Sequence, residues 1–579
     1  MRKPKSRAKF AAFSVLAVAT AGLFAVLIMR SMETYRCYFG QYHDDAIYLV
    51  TARALAEGRG FKIISLPGEP AQTKYPIGFP LMHALVWKLF PNFPDNLQPI
   101  VLIQSAIGAA AAVVVAAYLV RTRKVTPLLG LVICSATVLN YHYIDFSAMV
   151  MSDLACMLLA IIALWRAEVE VRGQARWYSA LLLGCLLALP ALMRTQGIIT
   201  IPTTFIFLCV RKKVRLAFLS MLVALVIVGP QLAWQLLAQR SQDPFLTFYT
   251  SYLGHAYGTL PAAEELPEQA FENYRWSGIL QINMYFPFLA RLQFEPMSPA
   301  AFALLFNVGY FLLGIPLMLG SFLEFVRFSL PGLYCFFYSA MLAGWPLKAE
   351  YRHVLPQLAL NYYFYYRGFR WFGKVCKPRK TQARKVYQKL CAVASIVLAT
   401  YLIGGTALEA MQDAGRYGRA FATMGPWARG PRRHAADYAE TFAWIKANTR
   451  PSDTFVCNND PLLFLGTDRK AIFPSKLEMW RFSSSRLIDS DSMLDAIRFA
   501  KASYVVNDPV YRTEGVARRH AAQAILTITM LHPGLLTPVF RSRFGSIMIF
   551  AVDPQKLPPI DEQTSGGNRP AQSTQLRDK

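Results

Sequence analysis

The sequence predicts a polytopic α-helical membrane protein of about eleven spans, ending in a small extracytoplasmic α/β domain. Three observations predict it. Of 579 residues, 54% are hydrophobic and only 17% charged, far from the usual balance of a soluble globular chain. The apolar residues gather in runs long enough to cross a hydrocarbon core of about 30 Å. The basic residues stand at the ends of those runs.

The first element is a span over residues 10–29. Its basic head, Arg2, Lys3, Lys5, Arg7 and Lys9, precedes an apolar run from Phe10 to Met29. That run is longer than the apolar region of a cleaved signal peptide and lacks a small-residue cleavage site, so it is expected to stay in the membrane. Further runs predict spans at 99–120, 127–144, 154–166, 178–193, 197–210, 216–238, 300–322, 329–346, 353–366 and 390–408.

Charge placement gives the expected sidedness. Residues 1–9 carry +5, 121–126 +3, 166–176 +1, 211–215 +4 and 367–389 +9, which accounts for 22 of the net +26. Each segment closes an apolar run, and all obey the positive-inside rule if all are cytoplasmic. The charge therefore sets topology and faces anionic lipid rather than forming a nucleic-acid stripe. The loop 30–98, the turn at 145–153, the loop 239–299, the turn at 347–352 and everything after 409 then fall outside. Nine cysteines are dispersed singly, six of them (Cys134, Cys156, Cys185, Cys209, Cys335, Cys391) in apolar runs. They form neither a disulfide framework nor a metal-ligand spacing, and read as small buried hydrophobes.

Residues 1–408 thus form a membrane domain, with 30–98 as its first extracytoplasmic loop, and 409–555 a separate α/β domain. There "TFAWIKANTRPSDTFVCNND" reads as helix, turn and strand, "DSMLDAIRFAKASYVVND" as helix and strand, and "LTPVFRSRFGSIMIFAV" as a hairpin. The tail 556–579, rich in Pro, Gln, Ser and Gly, has a disordered composition.

Candidate chemistry gathers at the outer ends of the spans. Asp44 and Asp45 open a segment whose apolar residues fall near helical spacing, predicting a surface-lying helix that starts at the acidic pair. Either aspartate could cap it and complement its dipole, but one carboxylate suffices. Lys74, Tyr75, Asp153, Arg194, Lys348, Arg352 and His353 share that side. Such groups can snorkel to the interface; together, carboxylates and cations on one face suit an anionic lipid headgroup and a proton-accepting step.

These pieces resemble the GT-C class of membrane glycosyltransferases, in the branch of bacterial protein mannosyltransferases, aminoarabinose transferases and lipopolysaccharide-core galacturonosyltransferases. The resemblance is carried by "DDAIYLVTARALAEGRGF" after the first span, the Gly68 to Pro80 element around Lys74-Tyr75-Pro76, Ser152-Asp153, "RTQG" at 194–197 and "EYRHVLP" at 350–356. It runs through most of residues 1–366, and the C-terminal domain is similar to the soluble domain of such proteins. It implies a sugar donor on a polyprenyl phosphate in the outer leaflet of a bacterial inner membrane, with a glycolipid, lipopolysaccharide or protein as acceptor. Asp44 would be the general base, with Asp45 in support and Asp153 the second acidic position. Lys74, Arg194 and Arg352 would neutralise the lipid phosphate, with His353 and Tyr75 beside them.

The residue types suit this chemistry. A phosphate-linked sugar has a good leaving group, so the protein must deprotonate the acceptor and stabilise the departing phosphate. Arg offers a fork of donors and Lys a point charge. One base without a nucleophilic partner gives inversion; Asp44 and Asp45 are neighbours, which do not face the same way on a helix. Aspartates and a histidine also admit a divalent cation, although no dedicated ligand cluster is visible. A transporter or lipid flippase explains the spans equally well, but would place charges near mid-membrane and show repeated halves. A scaffold would not need Asp44, Arg194 and Arg352 on one surface.

Overall fold

The computed structural model describes residues 17–29, 31–32, 39–40, 42–173, 177–238, 244–250, 266–286, 299–345, 349–376, 431–474, 490–508 and 516–559, with single positions 386, 400 and 404. Lys348, most of 377–430 and the tail from 560 lie outside the described residues.

Among the described residues the membrane part is mainly helical. Its elements are α1 (Ala17–Met29), α2 (Asp44–Ala56), α3 (Gly78–Leu89), α4 (Leu97–Arg123), α5 (Pro127–Val138), α6 (Tyr141–Ser147), α7 (Asp153–Arg172), α8 (Trp177–Met193), α9 (Thr200–Val210) and α10 (Val214–Ala238). There follow α11 (Pro244–Thr250), α12 (Leu266–Tyr285), α13 (Pro299–Phe325), α14 (Leu330–Ala343), the single turn α15 (Tyr351–Val354) and α16 (Leu358–Val375). Among the described residues α4 and α10 are long and apolar enough to cross a membrane, and two bent pairs, α5 with α6 and α13 with α14, raise that number to as many as four if each pair is one span. The single run expected at 127–144 is broken, with α5 and α6 meeting at 67°. Asn140 caps α6 there, its side-chain oxygen accepting the Tyr143 amide at 3.3 Å. Leu222, Val226 and Leu236 of α10, and Phe311, Met318 and Phe322 of α13, are exposed, as lipid-facing positions should be.

Close helix approach relies on absent side chains. A Cβ on Gly320 of α13 would strike the Phe364 carbonyl, and one on Gly368 of α16 the Pro316 carbonyl. Small residues at such a crossing let two backbones meet.

Two loops expected to lie over the surface are built differently. Residues 44–56 form the expected helix, but Ala46 to Ala52 are all buried, because α3 and the C-terminal domain cover them. In the segment 239–299, α12 lies over α14, with Asn273 Nδ2 donating to the Ala343 carbonyl at 3.3 Å. Its apolar positions are too sparse for the sequence to announce it.

In the C-terminal region α17 (Pro431–Asn448) leads into β1 (Phe455–Cys457), α18 (Asp460–Thr467), β2 (Ala471–Ile472), α19 (Ser490–Ala500), β3 (Tyr504–Asn507), α20 (Val516–Leu531), β4 (Leu536–Arg541) and β5 (Met548–Val552). The sheet order is β2-β1-β3-β5-β4. The first three strands are parallel, with Phe455 opposite Tyr504; β5 runs antiparallel to β3, with Val505 opposite Phe550. The parallel strands are joined by helices, as parallel pairing demands, and β4–β5 form the hairpin. One face packs Phe455, Cys457 and Ile549 against Ile445 of α17. Val456 and Val505, pointing the other way, join Leu462 of α18 in a core continuous with Ile47 and Leu49 of α2.

Candidate active site

The site starts from the entry to α2. His43 has φ 58° and gives the helix no side-chain cap. The chain is instead turned by Asp45, fully buried, which accepts the Gly40 amide at 3.0 Å and the Ala46 amide at 2.9 Å. That leaves Asp44 pointing elsewhere, as neighbours on a helix must. Its Oδ2 accepts from Arg352 Nη1 at 2.8 Å, and its Oδ1 accepts from the Tyr75 hydroxyl. The same guanidinium reaches Glu350 through Nε at 2.8 Å.

Lys74 and Tyr75 are presented by Gln72, whose Oε1 accepts both their amides at 3.0 and 3.2 Å. Gln72 is pinned in turn, its carbonyl accepting from Trp234 Nε1 of α10 at 3.0 Å. The Lys74 ammonium lies 5.3 Å over the Tyr75 ring, and the residue as a whole is 6% exposed.

A second ion pair stands behind the first. Asp153, the first residue of α7, accepts from Arg194 Nη1 at 3.1 Å, and the same nitrogen is 3.3 Å from Ser152 Oγ. Tyr48, one turn beyond Asp44 on the same helix face, lies between the two pairs: its hydroxyl is 3.2 Å from Ser152 Oγ and its ring 4.9 Å from the Tyr75 ring. The Nδ1 of His353 is engaged locally: it accepts the Glu350 amide at 2.9 Å, closing a capping box around α15.

The electrostatics follow from burial and these partners. Burial alone would raise the Asp44 carboxyl, but the charges of Arg352 and Lys74, with hydrogen bonds from Tyr75 and Arg352, outweigh it and hold the group well below its ordinary range. Burial pushes the Lys74 ammonium down to about 8, with Asp44 supporting its charge and Arg352 opposing it.

Of the residues singled out in the sequence, Asp44, Tyr75, Arg352 and Lys74 come together, Asp153 and Arg194 form the adjoining pair, Asp45 shapes the entry loop, and His353 caps a turn. Among the described residues no group of three or more His, Cys, Asp or Glu could hold a metal ion, and Asp44 and Asp153 each face an arginine. Sequence reasoning passed over Gln72, Tyr48 and Glu350. Glu350 stands in the "EYRHVLP" segment and was the most findable; Gln72 acts through backbone amides, which leave no pattern.

No protein-family model matches the chain, and no curated protein matches it. Solved structures do. The structure is similar to apo ArnT from Cupriavidus metallidurans, at 14% identity and a TM-score of 0.51 over 95% of this chain and 100% of that one. It is also similar to the oligosaccharyltransferase AglB from Archaeoglobus fulgidus, at 12% identity and a TM-score of 0.51 over 93% of this chain and 75% of that one. The chain therefore shares its fold with ArnT and AglB over most of its length.

Proposed function

We propose that the chain is an inverting glycosyltransferase that moves a sugar from a polyprenyl-phosphate donor to a hydroxyl or amine of a glycolipid, lipopolysaccharide or protein acceptor. It would do so at the extracytoplasmic face of a bacterial inner membrane, with about eleven spans and the C-terminal domain outside. The observation that carries this reading is the grouping of one carboxylate, Asp44, with two cations, Arg352 and Lys74, beside a second pair, Asp153 with Arg194. The AglB structure, which shares the fold, contains a dolichol phosphate and an inhibitory peptide.

In this reading the donor phosphate takes Lys74 and Arg352 as its counter-charges, with Arg194 behind them. That draws positive charge off Asp44, which in the resting arrangement is too well stabilised to be a strong base. The relieved carboxylate takes the proton of the acceptor O–H or N–H, the acceptor atom bonds to the anomeric carbon, and the bond from that carbon to the phosphate oxygen breaks. The electron pair stays on the phosphate, neutralised by the same cations. A single displacement inverts the anomeric centre. Asp153 keeps Arg194 oriented, and Tyr75 holds Asp44 until the phosphate arrives.

The test is transfer by the purified protein from synthetic undecaprenyl-phosphate sugars, alongside mass spectrometry of glycolipids and glycoproteins from cells with and without the gene. A sugar lost from one envelope molecule, and restored by the parent but not by Arg352→Ala or Lys74→Ala, is expected. An unchanged envelope together with translocation of intact lipid-linked sugar would overturn the reading in favour of a flippase.

A further inference from the structure

The C-terminal domain grips the segment that carries Asp44. His43, the residue immediately before it, is buried, and its ring Nε2 lies 3.0 Å from Oδ1 of Asp460, the fully buried first residue of α18. The imidazole also rests 5.5 Å from the Tyr249 ring, whose hydroxyl accepts the Phe473 amide at 3.1 Å. Gly40, at φ +93°, lies so close under α18 that a Cβ would meet Leu462 at 3.0 Å and Asn459 at 3.1 Å. At the far end of α2, Arg53 pairs with Asp468 at 2.5 Å.

Surface pairs such as Arg53 with Asp468 contribute little. A buried polar pair between two domains is different, because desolvating it costs free energy that an apolar contact would not. Its effect is geometric. A hydrogen bond to the side chain of residue 43 fixes the first turn of α2, and the Asp44 carboxylate stands one bond network away, toward Arg352 and Tyr75.

We propose that Asp460 is a positioning residue for Asp44: by holding His43 it orients the first turn of α2, so that the sheet domain completes the active site. This rests on Asp44 being the reacting carboxylate. A carboxylate displaced by about 1 Å from the acceptor loses on the order of 10² in rate without loss of donor binding, because Lys74 and Arg194 sit on other elements.

The experiment compares the full-length parent with Asp460→Ala, Asp460→Asn and Asp468→Ala, using whichever of synthetic undecaprenyl-phosphate glucose, galactose, mannose and arabinose the parent consumes fastest. Asp460→Ala is expected to lower kcat about 30- to 100-fold with donor KM within about threefold of the parent. Asp460→Asn, which can still accept from the imidazole, should recover most of the rate, and Asp468→Ala should keep kcat. A second reading needs no sugar: amides in the 43–48 segment should exchange with deuterium at least about tenfold faster in Asp460→Ala. Should that variant fail to fold, His43→Phe/Asp460→Leu replaces both partners by apolar groups, a change that can be nearly neutral for stability, and the same fall in kcat is expected. Parental kcat, or unchanged protection of 43–48, in a folded variant overturns the proposal. Asp44→Asn run in parallel separates the two ideas: if it is inactive while Asp460→Ala is fully active, only the positioning role fails, and if it is fully active the role given to Asp44 fails.

Discussion

Replacing Asp44 by Asn separates charge and basicity from shape. The side chain accepts from Tyr75 and Arg352 and is 16% exposed. Asn keeps one acceptor oxygen for these donors, and Arg352 keeps Glu350 at 2.8 Å, while Lys74, whose charge Asp44 supports, can release its proton more readily. The loss is therefore one charge-assisted interaction weakened to a neutral one, about 1–2 kcal/mol of stability rather than the 3–5 kcal/mol that follows when a buried pair is broken outright. Catalysis should respond far more, because an amide cannot take a proton; losing a general base lowers turnover about 10²- to 10⁴-fold, or roughly 3–5 kcal/mol in the barrier. Donor binding should move the opposite way. With its carboxylate neutralised, residue 44 no longer competes with phosphate for Arg352 and Lys74, so undecaprenyl phosphate should bind as tightly as to the parent, or more tightly. Melting in detergent, calorimetric binding of undecaprenyl phosphate and single-turnover transfer measure the three effects separately. Turnover within about tenfold of the parent would refute the role of Asp44 as base, and weaker lipid-phosphate binding would refute the competition for its cations.

The other predictions concern charge, packing and topology. Because the Lys74 ammonium is pushed down to about 8, its attraction for phosphate is present below that pH and lost above it; binding of undecaprenyl phosphate should weaken as pH rises from 7 to 9.5. Lys74→Gln should flatten that profile and cost roughly 10- to 150-fold in affinity at pH 7, and a variant that keeps the parent's pH profile would place the phosphate elsewhere. For stability the sign is reversed: the folded chain binds fewer protons at Lys74 than the unfolded one between about 8 and 10.4, so burial of this ammonium destabilises at neutral pH and the penalty fades across that window. Gly368→Leu drives a side chain into the Pro316 carbonyl and should destabilise by at least about 2 kcal/mol, seen as a lower detergent melting temperature; a parental melting curve would show that the two backbones are not in contact. A reporter active only outside the membrane should be active when fused near residue 430 and silent near Lys380, and the opposite pattern would move the whole site to the cytoplasm.

Hydropathy, charge placement and local pattern determined a good part of this protein. The apolar helices and the strand–helix alternation of the C-terminal sheet were legible because each depends on residues within a few turns of one another. The helix starting at Asp44 was legible too, down to its first residue. Its burial was not, since what covers α2 comes from α3 and from α18, four hundred residues on. The bend at Asn140 and the helix α12 were missed for a related reason: a broken apolar run and a sparse amphipathic face look alike until a partner fixes them. Which cation meets which carboxylate lay entirely with the tertiary structure. Arg352 reaches Asp44 across 308 residues, and Asp460 reaches His43 across 417. At such separations no periodicity links two positions; only the packing of the elements between them brings the charges into contact, and only that contact holds Asp44 ionised and sets the sheet domain against the start of α2.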